Sequence, residues 1–452
     1  MHSIKDLYKI HIIFFIALVI ESDLPSKDVI NQWYSEGVQI FFLDKSIFLT
    51  NKKGFPVLSR AHQKFLNGFI RDIDTTLVIT GEPSIPKRYS QYLRHIRSQC
   101  KKLSKIELEE RDFWDVLQTP LQPLSHNLEY STYETFEADS IKYIQYEKAI
   151  IKCLIDLDKK INVKSSSNDS KPIILMVLGA GRGPLVQASI NASKSTGIKI
   201  RLYAIEKNPH AVIILKNKNN KKWKNTVNII QTDMRIWKYP EKAHIIISEL
   251  LGSFGDNELS PECLDGAQRI LRNDGISIPY SYTSYLCPIT NNGVYSRLIE
   301  KPKEFEIPYV IHLKRHKKLS KTIKKCWTFI HPNNKQKIML NNSHNSRYCK
   351  LTFNIDIDSS VIHGFAGYFD TVLYKDVILS INPNNATKNM YSWFPIYFPI
   401  INPIKIKKND KLTVHLWRKT NKKCIWYEWC ITSPILSEIH NPFHRSYQVD
   451  LQ

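Results

Sequence analysis

The stretch Ser248-Glu-Leu-Leu-Gly-Ser-Phe-Gly-Asp-Asn-Glu258, continued by Leu-Ser-Pro-Glu-Cys263, decides how this chain is read. It follows an apolar run, His244-Ile-Ile-Ile247, too short for a helix and rich in β-branched residues, which predicts a buried strand. Glu249 falls at the end of that strand, and Glu258 follows across a Gly/Ser/Asp/Asn loop. Two carboxylates on one loop suit a planar cation. A guanidinium is the natural partner, because its fork meets carboxylates in paired hydrogen bonds. By composition alone the stretch reads equally well as a solvated acidic turn, and what lies upstream has to decide.

Upstream, Ile173–Leu178 is a wholly apolar strand running into Gly179-Ala-Gly-Arg-Gly183-Pro. A helix over Leu185–Ser193 and a strand over Leu202–Ile205 come next, the latter ending in Glu206. Strand, glycine turn, helix, strand and acid is the nucleotide-binding unit of doubly wound folds. The glycines let backbone approach a ligand, and Glu206, about twenty residues past Gly183, suits ribose hydroxyls. The turn lacks the last glycine of the dinucleotide pattern and fits the GxGxG form used for S-adenosylmethionine. A further strand, Val227–Ile230, leads to Asp233 and Met234, an acid and an apolar side chain suited to an adenine's amino group and face. Asp233 also reads as a helix cap. Ligand groups thus gather at the carboxyl ends of successive strands.

A chain of 452 residues implies two to four domains, and 42% hydrophobic content is ample for packed cores. The net charge of +22 invites a nucleic-acid partner. However, the basic runs Lys218–Lys224, Lys314–Lys318 and Lys405–Lys408 are short and scattered, as on solvated faces. The eight cysteines form no CxxC pair, against a structural zinc site or a disulfide framework, and imply a reducing compartment. The apolar run Ile10–Ile20 is too short to span a bilayer and is read as a strand.

From residue 10 to about 111 strands alternate with helices: Ile12–Ile20, a helix over Ser26–Ser35 capped by Ser26, Val38–Leu43, a helix over Val57–Phe69, Leu77–Thr80 and a helix over Pro86–Ser98. This predicts a parallel α/β sheet, with too few strands to close a barrel. A charged connector, Lys102–Trp114, precedes a helical run, Tyr130–Asp156, and Lys164–Ser170 is a loop by composition. From Ile278 the pattern becomes short and alternating: Tyr348–Ile357, Val361–Tyr374, Val377–Ile381, Leu412–Arg418 and Cys424–Ile431. That predicts an antiparallel β domain.

Together these residues resemble the protein arginine methyltransferases, of the symmetric-dimethylating type II. The likeness runs from about Leu18 to the C-terminus. Its most specific pieces are Leu121-Gln-Pro-Leu124, Leu175–Pro184, Tyr203–Pro209, Ser248–Gly266, His363–Phe369 and Tyr391-Ser-Trp-Phe-Pro395. The resemblance implies a partial TIM-barrel domain (1–111), a Rossmann-like S-adenosylmethionine-dependent core (112–277) and a C-terminal antiparallel β-barrel for oligomerisation (278–452). It implies Glu249 and Glu258 as the catalytic pair. Tyr133, Lys142, Tyr143, Gly179, Gly181, Glu206, Asp233 and Met234 match positions that contact S-adenosylmethionine. Phe136 matches the position favouring symmetric product, and Trp393 an aromatic over the arginine slot. On residue type alone, Phe136 and Trp393 read as packing and Lys142 as a solvated helix residue.

The resemblance further implies Gly/Arg-rich substrates such as histones and RNA-binding proteins, a homodimer or larger homo-oligomer, no metal, no membrane, and the cytoplasm and nucleus. Asp256, Glu258 and Glu262 are expected to give a basic chain an acidic mouth. The departure is at the start. The family's barrel has eight strands and this chain supplies the later ones, so a WD-repeat partner docked on the other half is doubtful and an open sheet edge is expected. Two other readings compete: a nucleic-acid methyltransferase, which the paired glutamates oppose, and an inactive scaffold, which an intact pair opposes. Cys263 is expected to be structural, and reachable by electrophiles if exposed.

Overall fold

The computed structural model describes residues 16–72, 74–82, 85–162, 171–334, 338–339 and 341–452. Residues 12–15 of the expected first strand and the loop at 164–170 lie outside them. The chain forms two compact units. One comprises the N-terminal part to Val116 with Thr290–Arg297 and Leu313–Lys318, and the other holds the remainder.

In the first unit, β1 (Ala17–Ile20), β2 (Ile40–Asp44) and β5 (Thr76–Thr80) make a parallel sheet in the order β1-β2-β5. The hairpin of β3 (Leu49–Thr50) and β4 (Pro56–Val57) lies between β2 and β5 in sequence. Helices α1 (Lys27–Ser35) and α2 (Arg60–Asp72) cross between the strands, and α3 (Pro86–Gln99) follows β5. Ser26 caps α1 by accepting the Val29 amide, as its residue type predicts. Phe41, Phe65 and Phe69 meet largely edge-to-face at the centre of this unit's core. The charged connector is α4 (Lys105–Glu110), opened by a capping box between Ser104 and Glu107.

The second unit starts with α5 (Tyr130–Ala138) and α6 (Ser140–Asn162), so the long helical run is broken at Asp139. A five-stranded parallel sheet follows in the order β10-β9-β6-β7-β8. It consists of β6 (Ile173–Leu178), β7 (Ile200–Glu206), β8 (Val227–Gln231), β9 (Ala243–Ser248) and β10 (Leu271–Ile278). The crossovers α7 (Pro184–Thr196), α8 (Pro209–Lys221) and α9 (Ser260–Ala267) complete the doubly wound pattern. β6 and β9 are buried along nearly their whole length, as central strands covered on both faces must be.

The C-terminal part is two antiparallel sheets. One holds β11 (Ser281–Thr290), β12 (Tyr309–Val310), β14 (Lys324–Ile330), β16 (Ser359–Tyr374), β17 (Val377–Ser380) and β18 (Ile396–Lys407). The short β13 (Lys317–Lys318) belongs to the first compact unit. The other sheet is β15 (Arg347–Asn354), β19 (Lys411–Thr420), β20 (Cys424–Ser433) and β21 (Val449–Asp450). β18 is not among the strands expected from the sequence; its Pro399 and Pro403 are unusual in an interior strand. Pro403 falls where the register against β16 shifts, between Ile362 and Gly364, and Pro399 pairs with Gly364 at the edge of that shift. One apolar core runs from Leu178 and Ile246 of the parallel sheet through Phe254 to Phe398, Tyr427 and Trp429 of the antiparallel sheets. It ties the loop after β9 to both halves of the unit.

Candidate active site

Sheet register brings the site together. Leu178 at the end of β6 pairs with Ile205 on one side and Ser248 on the other. The first glycine of the turn, Glu206 and Glu249 therefore leave neighbouring strand ends, about 4.8 Å apart per strand. Gly179 and Gly181 have φ of +68° and +52°, which disfavour a side chain. A Cβ on Gly179 would lie 3.0 Å from Leu250, the residue after Glu249, and one on Gly181 would lie 3.1 Å from the Tyr133 ring. The glycine turn thus has the double-glutamate loop on one side and α5 on the other.

Glu206 is buried, and its two oxygens accept the amides of Gly181 and Asn208, both at 2.7 Å. Burial pushes its carboxyl up, while those amide bonds hold it back. The Tyr133 hydroxyl accepts from the Asn208 side chain at 3.2 Å, and burial followed by the Glu206 charge raises it to about 12. Met234 is buried in the same core as Leu251. Asp233 differs from the rest: its carboxylate is engaged by the Arg235 amide and guanidinium, at 2.6–3.1 Å. Burial would raise it, but these bonds bring it below the usual carboxylate range.

Lys142 is only 1% exposed, not a solvated helix residue. Its ammonium donates to Glu249 Oε2 at 2.9 Å. It also lies over three rings, 5.5 Å from the centroid of Phe136 and 4.9 Å from those of Tyr143 and Trp393. Each such contact stabilises a cation by about 0.5–2 kcal/mol, more when water is excluded. Burial disfavours its charge, but Glu249 and the Tyr143 hydroxyl more than compensate, so its pKa is raised. The opposite pull acts on Glu258. Desolvation first, then the neighbouring Glu249 charge, pushes its carboxyl up to about 8, with Lys142 partly offsetting both. Glu258 keeps some solvent access although protein surrounds it densely.

Residue-type reasoning missed the side chains that hold this arrangement. Asp139 is fully buried in the break between α5 and α6. It accepts the Ile141 amide at 3.1 Å, the Tyr391 amide at 2.8 Å and the Ser392 hydroxyl at 2.6 Å. It therefore joins the helices carrying Phe136, Lys142 and Tyr143 to the segment carrying Trp393. The Trp393 indole donates to the Leu251 carbonyl at 2.8 Å and meets Phe369 edge-on. The Tyr146 hydroxyl donates to the Ser248 carbonyl at 2.9 Å, just before Glu249.

The acidic mouth expected from Asp256, Glu258 and Glu262 needs correcting. Asp256 and Glu262 are buried and face Arg418 of β19. Both Arg418 terminal nitrogens donate to Glu262 at 2.9 Å, and they reach the Asn345 and Asp256 carbonyls at 3.1 and 3.3 Å. Arg418 Nε lies 2.6 Å from Asp256 Oδ2, an ion pair without hydrogen-bond alignment. Only Glu258 of the three keeps solvent access; the other two brace the loop. Nothing in their spacing reveals it, because the partner lies in another sheet. Cys263 is buried and pushed up to about 12 by burial, which makes it unreactive.

Comparison with known proteins decides the family. Three family models match in order: the PRMT5 TIM barrel domain over residues 1–102, the PRMT5 arginine-N-methyltransferase over 104–278 and the PRMT5 oligomerisation domain over 281–449. Protein arginine N-methyltransferase 5 of Xenopus laevis is 47% identical over 461 residues, covering 100% of this chain and 71% of that protein. The chain belongs to the protein arginine N-methyltransferase 5 family. The family's protein in Oryza sativa subsp. indica is 45% identical, covering 96% of this chain and 70% of its own length. That of Drosophila melanogaster is 37% identical, covering 95% and 69%.

Among solved structures, the Trypanosoma brucei PRMT1 enzyme-prozyme heterotetrameric complex with AdoHcy superposes with a TM-score of 0.55 at 16% identity. It covers 71% of this chain and 97% of that one. Arabidopsis thaliana protein arginine methyltransferase 10 gives 0.55 at 15% identity, covering 73% and 99%. Those two likenesses establish the arginine-methyltransferase fold over about seven-tenths of the chain, and the family model adds the TIM-barrel domain over residues 1–102.

Proposed function

We propose that this member of the arginine N-methyltransferase 5 family transfers methyl groups from S-adenosylmethionine to a terminal guanidino nitrogen of arginine, giving mono- and symmetric dimethylarginine. Gly/Arg-rich proteins such as histones and RNA-binding proteins are the proposed substrates, and the C-terminal sheets the surface of homo-oligomerisation. The observation that carries the reading is a buried cation held by Glu249 amid three aromatic rings, with Glu258 coupled to the same charges. A recess built for one cation beside a glycine turn suits an arginine head next to a nucleoside.

The cradle also fits the donor. Positive φ at Gly179 and Gly181 and the close approach of Leu250 and Tyr133 disfavour a Cβ at either, and Glu206 sits buried at the end of β7 with amide-anchored oxygens. When bound, S-adenosylmethionine supplies an electrophilic methyl carbon on a sulfonium. Everything else falls to the chain's own residues. Glu249 and Glu258 grip the guanidinium fork and draw positive charge onto the nitrogens that do not attack. The attacking nitrogen gains electron density, and fixed geometry supplies much of the rate. Phe136 and Trp393 flank the plane and limit its tilt. A carboxyl with its pKa near 8 is suited to take the proton released as the N–C bond forms.

The test is Glu258→Gln in the full chain, with labelled donor and a Gly/Arg-rich peptide. Methyl transfer is expected to fall by roughly a hundredfold or more, the scale of a lost positioned catalytic group. S-adenosylhomocysteine affinity should be nearly unchanged. Turnover close to that of the unaltered enzyme would sink the reading.

A further inference from the structure

The net charge of +22 plays no part in the site described above, and one sheet face gathers some of it. Register sets Tyr348 of β15 opposite Trp417 of β19, and Lys350 opposite His415. Alternate residues of the two strands, among them Leu351, Phe353, Val414 and Leu416, point into the core. The other face therefore carries Tyr348, Lys350, Lys411, His415, Trp417 and Lys419, with Thr352, Asn354 and Thr413 besides. No carboxylate stands among them. The three rings form one stack. Tyr348 lies 5.9 Å from His415 and 5.4 Å from Trp417 by centroid, His415 lies 5.7 Å from Trp417, and the planes differ by 19–27°. The Tyr348 hydroxyl shares a hydrogen bond with His415 Nδ1 at 2.8 Å, and His415 Nε2 shares one with Thr432 at 3.1 Å, so the rings are held in place. Tyr348 is nonetheless 53% exposed. Lys419 is answered by Glu428 at 2.7 Å, whereas Lys350 and Lys411 are exposed and have no ion-pair partner among the described residues.

One cross-strand pair of rings would be enough to strengthen the sheet, and an exposed face of that kind commonly sets opposite charges across its strands. Here the lysines face no acid. Flat rings beside unanswered cations are what a nucleotide needs: every base offers a π-face for stacking, and lysine meets the phosphate charge. An acidic peptide would satisfy the lysines and leave the stack unused. We propose that the outer face of β15 and β19 is a docking platform for single-stranded RNA, its bases stacking on Tyr348 and Trp417 and its phosphates meeting Lys350 and Lys411. Thr352 and Asn354 on the same face add a hydroxyl and an amide able to meet a ribose 2′-hydroxyl, which favours RNA over DNA. Arg418 of β19 faces the other way, to Glu262 behind the double-glutamate loop, so the platform and the loop's brace use opposite faces of one strand. RNA binding here does not depend on the proposed methyl transfer.

Fluorescence anisotropy of a labelled oligouridylate of about ten nucleotides, titrated with the full chain, reads the binding. A dissociation constant on the order of 1–100 μM is expected at physiological salt. Tyr348→Ala removes the most exposed ring of the stack and should weaken binding at least about fivefold, the scale of one lost base stack. Lys350→Gln together with Lys411→Gln should lower the slope of log affinity against log salt by about 1.4, the share of two phosphate contacts on a single strand. Both variants should melt as the unaltered chain does, because all three side chains face solvent. No binding by the unaltered chain overturns the proposal. So does unchanged affinity in a folded Tyr348→Ala protein, or a salt slope that the two lysines do not move. A duplex RNA of the same length that binds as tightly would mean charge without stacking and overturns it too. Equal affinity for the matching deoxy oligomer overturns the choice of RNA. If Tyr348→Ala changes the mass seen by light scattering, the face joins copies of this chain and the proposal falls.

Discussion

Replacing Arg418 by Met should be among the most damaging single changes in the second unit. Arg418 is fully buried, and its guanidinium is used on every side. It makes two bonds to Glu262, one each to the Asn345 and Asp256 carbonyls, and an ion contact with Asp256. Methionine fills much of the volume but leaves two buried carboxylates without their ion-pair partner. Breaking a buried ion pair from one side costs about 3–5 kcal/mol. At about 1.5 °C per kcal/mol, from about 2.1 cal/mol/K of unfolding entropy per residue over a unit of this size, the melting temperature should drop by roughly 4–8 °C.

The sign of the pH dependence separates this cause from simple loss of packing. Burial raises the Asp256 carboxyl, and Arg418 counters it. Without Arg418, its folded pKa lies further above the unfolded value. A group raised on folding contributes stability below its unfolded pKa and loses it as pH rises through the folded one. The gap in melting temperature between Arg418→Met and the unaltered chain should therefore shrink as pH is lowered from about 8 to about 5.5. Thermal melts of both proteins at the two pH values measure it. A drop under about 2 °C, or an equal gap at both pH values, would refute the account of Arg418 as a charge clamp.

Three further outcomes follow from the site. Glu258 is raised to about 8, so kcat/KM for peptide should climb with pH through that region as the acidic pair gains its second charge, and Glu258→Gln should flatten the climb. The same shift means that Glu258 favours the folded, ligand-free protein fully below about 4.5 and loses that contribution as pH approaches about 8, which unfolding titrations across that window would detect. Phe136→Met, which trims one ring from the recess, should turn part of the product into asymmetric dimethylarginine; mass spectrometry finding symmetric product alone would remove Phe136 from that role.

How legible was this in the sequence? The doubly wound core was, because its signals are local. β6 covers Ile173–Leu178 as its apolar run predicts, and the glycine turn and Glu206 follow at the distance the unit requires. The roles of buried polar residues were not. Asp139 reads as one acid in a helical run, yet it joins residues about 250 positions apart in sequence. Asp256 and Glu262 read as surface acids beside Glu258, and only the fold shows that Arg418, 156 residues on from Glu262, neutralises them. Lys142 looked like a solvated helix residue because three rings from separate segments bury it. In β18, a register shift overrode the usual meaning of proline.

The Trp393 anchor has a consequence for how such proteins diversify. The cradle proposed for the nucleoside is built by the parallel sheet, but one wall of the proposed acceptor recess arrives from the antiparallel half, fastened through Leu251 and Asp139. A chimaera that exchanges the C-terminal half with a homologue's would import a new acceptor wall while leaving the donor grip as it was. Selectivity for target proteins can then drift by recombination, provided the newcomer still offers Asp139 an amide and a hydroxyl.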